Sequence, residues 1–456
     1  MTTVAAAPAP SSSTAARLER LPHSRWHVKV RFLIGAVTFF EAFDQLLAAS
    51  ALPALRSEWH LTTGQATVAL TASSVGMLLG ALVAGWLGDR IGRVRTVALG
   101  VAVTGLASLA VAFTGGVETF SLFRFVQGIG IGGVVPVAAT YINEIARSDR
   151  RGRFVLLYEV VFPAGLATAT LVAVWVVPHL GWRAMFVIGT MPVLFAALLP
   201  RYVAESPRWL LARGRVEEAE EAMARIEAEV VQATREPLPA PVLAVRAEET
   251  SQGRLRELFA GRYLRRTAVV SVLWFVAYYV NHGISTWLPS LYTQKFGLDL
   301  STALGYTLLS NVTGLLGTLL VALVVDRTGR RPALVAGLGG SMVVLGRLAL
   351  AGGGSGSQVA LFASGTTFFL YAVNTGLYLY SPELYPTRNR AKGAAFGGLW
   401  NRLGVILGPV TVGAVLAAGG SLSLIFGHFA AVAAVGAVVA LLAVETKGRT
   451  LEELNS

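Results

Sequence analysis

The sequence predicts an all-α membrane protein of twelve transmembrane helices, arranged as two pseudo-symmetric six-helix bundles. Three observations predict it. Hydrophobic residues make up 54% of the chain and charged residues only 14%, whereas soluble domains carry about 25% charged residues, so polar surface is too scarce to wrap several soluble cores. Mean hydropathy is +0.60, and the apolar residues gather into runs of about the 20 residues that cross a bilayer. The loops between those runs alternate between arginine-rich and nearly uncharged, the pattern that sets membrane orientation.

Taken in order, residues 1–28 are Ala/Pro/Ser-rich and then basic, with no apolar stretch and cleavage site of a secretory signal. They are expected to form a flexible cytoplasmic tail. Apolar runs near 32–53, 64–87, 95–114, 118–142, 153–177 and 184–203 build a first bundle, residues 29–203. Residues 204–262 are polar, and their core VEEAEEAMARIEAEV has apolar positions at helical spacing, which predicts a cytoplasmic linker with short amphipathic helices. Runs near 265–289, 302–325, 333–351, 357–380, 393–417 and 422–444 build a second bundle, residues 263–444, before a cytoplasmic tail, 445–456. Arginines cluster before the first run and in the 2–3, 4–5, 8–9 and 10–11 loops, while TGGVET, AGGGSGSQ and AAGGSLS between other runs are almost bare. Both termini are thus expected in the cytoplasm of a bacterial inner-membrane protein.

The net charge of +12 lies in short segments between apolar runs, which marks topology rather than a nucleic-acid surface. No cysteine is present, so disulfides, thiolate metal sites and thiol nucleophiles are excluded. Neither a nucleotide-binding loop nor a metal cluster nor a nucleophile–base pair can be read. No enzyme, catalytic residue, metal or cofactor is expected, and the expected partners are lipid, a small solute and protons, around a monomer.

The chain repeats itself once. Gly85, Asp89, Arg90, Gly92 and Arg93 follow the second run; Asp326, Arg327, Gly329, Arg330 and Arg331 follow the eighth. Glu144 precedes Arg151 by seven residues, as Glu383 precedes Arg390. Repeated charge motifs at one depth mark halves that rock against each other. Asp89, Arg90, Arg93, Glu144, Arg151, Asp326, Arg327, Arg330, Glu383 and Arg390 are candidates for a conformational latch; the competing reading is that the arginines only enforce topology.

GWLGDRIGRVR, RFVQGIGIGG, AESPRWL, VVDRTGRRP and ETKGRT, in this order, resemble the signature segments of the major facilitator superfamily across the whole chain. SPELYPTRNRAKG followed by NRLG resembles the branch that contains bacterial niacin and aromatic-acid symporters, animal organic-ion transporters and synaptic vesicle glycoprotein 2, with the niacin transporters most similar. That resemblance implies the major facilitator fold, alternating access and, at Arg402, the helix-11 arginine with which anion-carrying members bind substrate. Helix 7 lacks the paired glutamines of sugar porters, and EVVFPAGLATATLVA lacks the Gly-Pro motif of drug antiporters.

Ionisable residues inside spans are functional candidates by default. Glu41 and Asp44 share a face of the first span, and Asp44 is the first candidate for a proton-carrying carboxylate, with Glu41 and Glu159 behind it. The alternative is a permanent ion pair of Asp44 with Arg124. Arg124 and Arg347 fall nearer span ends, where a long side chain snorkels. Arg402, mid-span, offers a planar fork to a substrate carboxylate or pairs internally with an acid of helix 1 or 5. Trp274, Tyr278 and His282 recur every four residues, Tyr371, Asn374 and Tyr378 line a face of helix 10, and Asn311 lies in helix 8. With one cation, such a set suits a flat aromatic acid; singly, the aromatics also suit packing. The expected function is proton-coupled uptake of a small aromatic carboxylate such as nicotinate. Efflux of organic cations, with Asp44 or Glu41 as counter-charge, and a non-transporting membrane receptor are the alternatives.

Overall fold

The computed structural model describes residues 10–22, 24–145, 160–241 and 255–448, and no strand occurs among them. The first half holds α1 (Pro10–Glu19), then α2 (Arg25–Gln45) and α3 (Leu47–Trp59), which form one span broken at Leu46. Next come α4 (Thr63–Ile91), α5 (Arg93–Ala112), α6 (Val117–Ile145) and α7 (Val161–Leu180), with α8 (Trp182–Ile188) and α9 (Pro192–Tyr202) sharing the sixth span. Linker helices α10 (Pro207–Ala212) and α11 (Val216–Thr234) and a 3-10 turn at Leu255–Phe259 precede the second half. There α12 (Gly261–Ser285) is broken from α13 (Leu288–Phe296), and α14 (Leu300–Thr328), α15 (Arg330–Leu350), α16 (Gly356–Glu383), α17 (Thr387–Ala417) and α18 (Leu422–Leu441) follow. Among the described residues, eleven spans are long and apolar enough to cross a membrane. The remaining long helix, α16, has 28 residues and is diluted by Ser, Thr, Asn and Tyr.

Helix ends follow local chemistry. Thr62 and Gln65 form a capping box on α4, Ser355 and Gln358 another on α16, and Asp299 accepts from the Thr302 N–H at 2.9 Å to start α14. With such starts, α4 and α14 each run 29 residues, roughly 43 Å at 1.5 Å per residue. They extend past the apolar runs read from hydropathy. Both stop at a glycine with positive φ, Gly92 at +109° and Gly329 at +97°, a conformation that a Cβ strains.

The QGIGIGG stretch of α6 is a packing surface. A Cβ on Gly128 or Gly132 would run into the backbone of Ser73 or Met77, and one on Gly76 or Gly80 into that of Phe125 or Ile129. Small residues thus let α4 and α6 touch backbone to backbone. Between the halves, α4 packs on α17 and α7 on α14, while α3 meets α13 at the end away from the arginine-rich loops. Asn311 Nδ2 donates to Thr170 Oγ1 across this seam at 2.8 Å.

In the linker, α11 buries Ala219, Met223, Ile226 and Val230, one face at helical spacing; the last three cluster with Leu18, Leu21, Leu199 and Val203, and Ala219 packs with Trp209 and Leu210. Arg17 and Arg20 both reach Glu227, at 2.8 and 2.6 Å, and Lys29 reaches Glu229 at 2.8 Å. Burial works against the Glu227 carboxylate, yet the hydrogen bonds from Arg17 and Arg20 outweigh it and hold its pKa below the ordinary value.

Candidate functional site

Among the described residues, the first half keeps a charge pair in its core. Asp44 lies in the last turn of α2, beside the break at Leu46, and is 1% exposed; Arg124 of α6 is 2% exposed and Gln127 fully buried. Arg124 donates to Asp44 Oδ2 at 3.3 Å and to Gln127 Oε1 at 2.7 Å, and Gln127 Nε2 donates to Asp44 Oδ1. Arg124 also lies over the Phe186 ring, 5.9 Å from its centroid. Two charges taken out of water cost several kcal/mol apiece, an amount offset only by close pairing and further hydrogen bonds. Of the arrangements open to Asp44, the ion pair with Arg124 is the one present. Arg124 does not snorkel: α6 begins at Val117, so its side chain starts two turns inside the helix. Arg347, in the last turn of α15, is exposed. Glu41 is buried one turn before Asp44, while Glu159 lies outside the described residues.

The second half gathers rings. Along α12, Trp274 and Tyr278 have centroids 5.5 Å apart, and Tyr278 stacks on His282 at 5.8 Å. Tyr378 of α16 meets Trp274 edge-on at 4.8 Å, and Trp274 Nε1 donates to Ser381 Oγ at 2.7 Å. This cluster ends where α12 breaks, as Asp44 ends α2, so both halves place polar groups at a discontinuous helix. Tyr371 OH donates to Asn311 Oδ1 at 3.2 Å, which ties Asn311 to α16 and, through Thr170, to the first half. Asn374 is buried, and its Oδ1 has no hydrogen-bond partner among the described residues.

Arg402 lies halfway along α17 and is partly exposed. Its guanidinium is 4.0 Å from Met77 Sδ of α4, at the seam, and Gly404, two residues on, packs closely against Phe275 and Tyr278 of α12. Arg402 pairs with no carboxylate among the described residues. The sequence-level candidates therefore fall into a ring cluster with Arg402 beside it, an Asn311–Tyr371 bridge, and the separate Asp44–Arg124 pair.

At the arginine-rich end, Arg93 bonds Asp89 at 2.6 Å and Glu144 at 3.4 Å; Arg330 bonds Asp326 and Glu383, both at 3.0 Å. Arg90 stacks over Trp86 at 4.6 Å, the Arg327 carbonyl accepts from Lys447 Nζ, and Arg390 lies partly buried in the first turn of α17. Arg151 lies outside the described residues. Two carboxylates went unnoticed in the sequence. Glu205 accepts from the N–H groups of Arg93 and Val94, at 2.9 and 3.2 Å, and Glu445 from those of Arg330 and Arg331, both at 3.0 Å. Each closes the N-terminus of the helix after Gly92 or Gly329, where a Cβ would collide with it, and an anion suits the positive end of that helix. Burial opposes the Glu445 charge, but the N–H groups of Lys447, Arg330, Arg331 and Thr446 hold its pKa below the ordinary value. Their signal was the matching glutamate of AESPRWL and ETKGRT, each just after the last span of its half.

A family model described as sugar (and other) transporter matches residues 29–456. The chain belongs to this family. This transporter is 31% identical to a niacin transporter of Acinetobacter baylyi, over 96% of its own length and 98% of that protein's. It is 28% identical to a 4-hydroxybenzoate transporter of the same organism, over 87% of its length and 86% of the relative's. A proton:xylose symporter of the major facilitator superfamily, solved with 6-bromo-6-deoxy-D-glucose, matches with a TM-score of 0.71 at 22% identity, covering 94% of this chain and 98% of that one. That likeness shows the major facilitator fold of two six-helix bundles, and the family match and the relatives make the chain a multi-pass membrane transporter and not an enzyme.

Proposed function

We propose that this transporter takes up a small aromatic carboxylate such as nicotinate, coupled to protons, by alternating access in the bacterial inner membrane. The observation that carries the reading is Arg402: a permanent cation at mid-span, on the seam between halves, beside a ring cluster and without a carboxylate partner among the described residues. A guanidinium there supplies a planar two-pronged donor for a carboxylate, and rings supply stacking faces. The niacin and 4-hydroxybenzoate transporters named above support the same substrate class, whereas cation efflux draws no support from them. The arginine-rich end is read as cytoplasmic, with both termini there and a monomer as the working unit.

In this reading, the bundles 29–203 and 263–444 rock about the seam, with the linker 204–262 on the cytoplasmic side. Protonation of Asp44 neutralises the acceptor of the Arg124 bond, so the pair loosens in one state and re-forms in another, with Glu41 and Glu159 as further candidate acids. The Arg93 and Arg330 clusters, with Glu205 and Glu445 as helix caps, hold the cytoplasmic turns of each half as one piece while the halves part. Uptake of nicotinate, benzoate, nicotinamide and xylose into proteoliposomes tests the reading. Accumulation of the acids under an inwardly directed proton gradient, but not of the amide or sugar, is expected. Saturable binding without accumulation would favour a receptor.

A further inference from the structure

At the end opposite the arginine-rich loops, a cavity of about 600 Å³ is shared by the two halves. Its polar lining is Arg56, Ser57 and His60 from α3 and the residue after it, with Thr293 and Gln294 from α13. Arg56 is half-buried and makes no hydrogen bond or ion pair among the described residues. The acids nearby are engaged elsewhere: Glu58 takes Arg183 at 2.8 Å and Trp182 Nε1 at 2.7 Å, and Asp299 caps α14. Lys295, in the last turn of α13, adds a second cation, this one exposed, next to Gln294.

We infer that this cavity is an outer entry site for the carboxylate of a small organic acid, held by Arg56 before α3 and α13 part. The inference rests on the carboxylate reading of the function. Any route from this end to Arg402 runs between the halves, and α3 and α13 are the pieces in contact there. The lining offers a guanidinium, an imidazole, two hydroxyls and an amide and no carboxylate, which selects an anion over a cation. Partial exposure implies weak, rapid binding of the kind that raises capture rate more than affinity.

The chain has no cysteine, so Ser57→Cys, at an exposed position, creates a unique thiol in the cavity. Intact cells bearing that variant are treated with membrane-impermeant anionic and cationic methanethiosulfonates. The anionic reagent is expected to react at least about fivefold faster, the factor that a unit charge about 4 Å away gives in a water-like medium. Adding Arg56→Ala removes the preference and Arg56→Lys restores most of it. Nicotinate or benzoate slows labelling, while nicotinamide, xylose and inorganic phosphate do not. A preference unchanged by Arg56→Ala, or protection by phosphate as strong as by nicotinate, overturns the inference. So does a failure of nicotinate to protect at concentrations that saturate uptake. Protection without any carboxylate uptake would keep the entry site and sink the proposed function instead.

Discussion

The two halves of the molecule are alike where they turn and unlike where they are charged. At the arginine-rich ends the parts correspond one to one: Asp89, Arg93, Glu144 and Glu205 around Gly92, and Asp326, Arg330, Glu383 and Glu445 around Gly329. In the cores they diverge. The first half seals an acid against an arginine out of contact with water, and the second leaves Arg402 without a carboxylate partner among the described residues, on a helix packed against the ring-bearing α12. On the proposed function this difference is a division of labour: duplication supplies the frame twice, while charge coupling and ligand recognition would each be built once, in opposite halves.

The largest effect should come from breaking the sealed pair unevenly. Arg124→Ala leaves a buried carboxylate without its cation and should destabilise the protein by about 3–5 kcal/mol, read as a large fall in the thermal unfolding midpoint in detergent. Asp44→Asn keeps the shape and the Gln127 contact but leaves the buried Arg124 guanidinium without its counter-charge, and should also lose stability. The double variant Asp44→Asn/Arg124→Gln removes both charges and should recover most of what either single change costs; a double variant no more stable than the singles would show that the two charges do not compensate each other.

Next is Arg402→Ala, which removes a charge-assisted bond of about 1.5–3 kcal/mol and should raise the half-saturating concentration of nicotinate roughly ten- to a hundredfold. Arg402→Lys should recover part of that loss. An unchanged transport curve would remove the second half's claim to recognition.

The frame is tested by symmetry. Glu205→Gln and Glu445→Gln each weaken a charged helix cap and should cost about 1 kcal/mol apiece, by similar amounts in thermal unfolding, if the two ends are true counterparts. Strongly unequal costs would break the correspondence.

Why some of this was legible and some was not follows from range. Spans could be read because each needs only its own apolar residues, and their ends shifted where a cap such as Thr62–Gln65 or Asp299 extends the helix past the hydrophobic run. Asp44 and Arg402 stood out as charges in apolar surroundings. Arg124 could be named as a possible partner of Asp44 but not chosen, because α2 and α6 meet only in three dimensions, and Gln127, being neutral, gave no sign in a glycine-rich run. Glu205 and Glu445 cap helices more than a hundred residues earlier in the chain, and only the matching position of the two motifs could have pointed to them. The break between Ser285 and Leu288 carries a local mark, Pro289 in the first turn of α13, and the one at Leu46 falls just after the polar residues Asp44 and Gln45.

The smallest expected effect concerns the linker. The depressed Glu227 pKa means that its contribution is fully present above the ordinary carboxylate value of 4.5 and is lost as the pH falls through the lower folded value. Wild type should therefore exceed Glu227→Gln in thermal stability at pH 7, and the gap should close under acid. A gap that persists below the folded value would show that the Arg17 and Arg20 contacts are not what depends on that charge.

The division of labour is tested most directly by comparing two modes of transport in Asp44→Asn proteoliposomes. Nicotinate counterflow, which needs recognition but no proton gradient, should stay within about twofold of wild type, a difference under about 0.5 kcal/mol, while gradient-driven accumulation disappears. Accumulation at the wild-type level, or loss of both modes together in a folded variant, would contradict it.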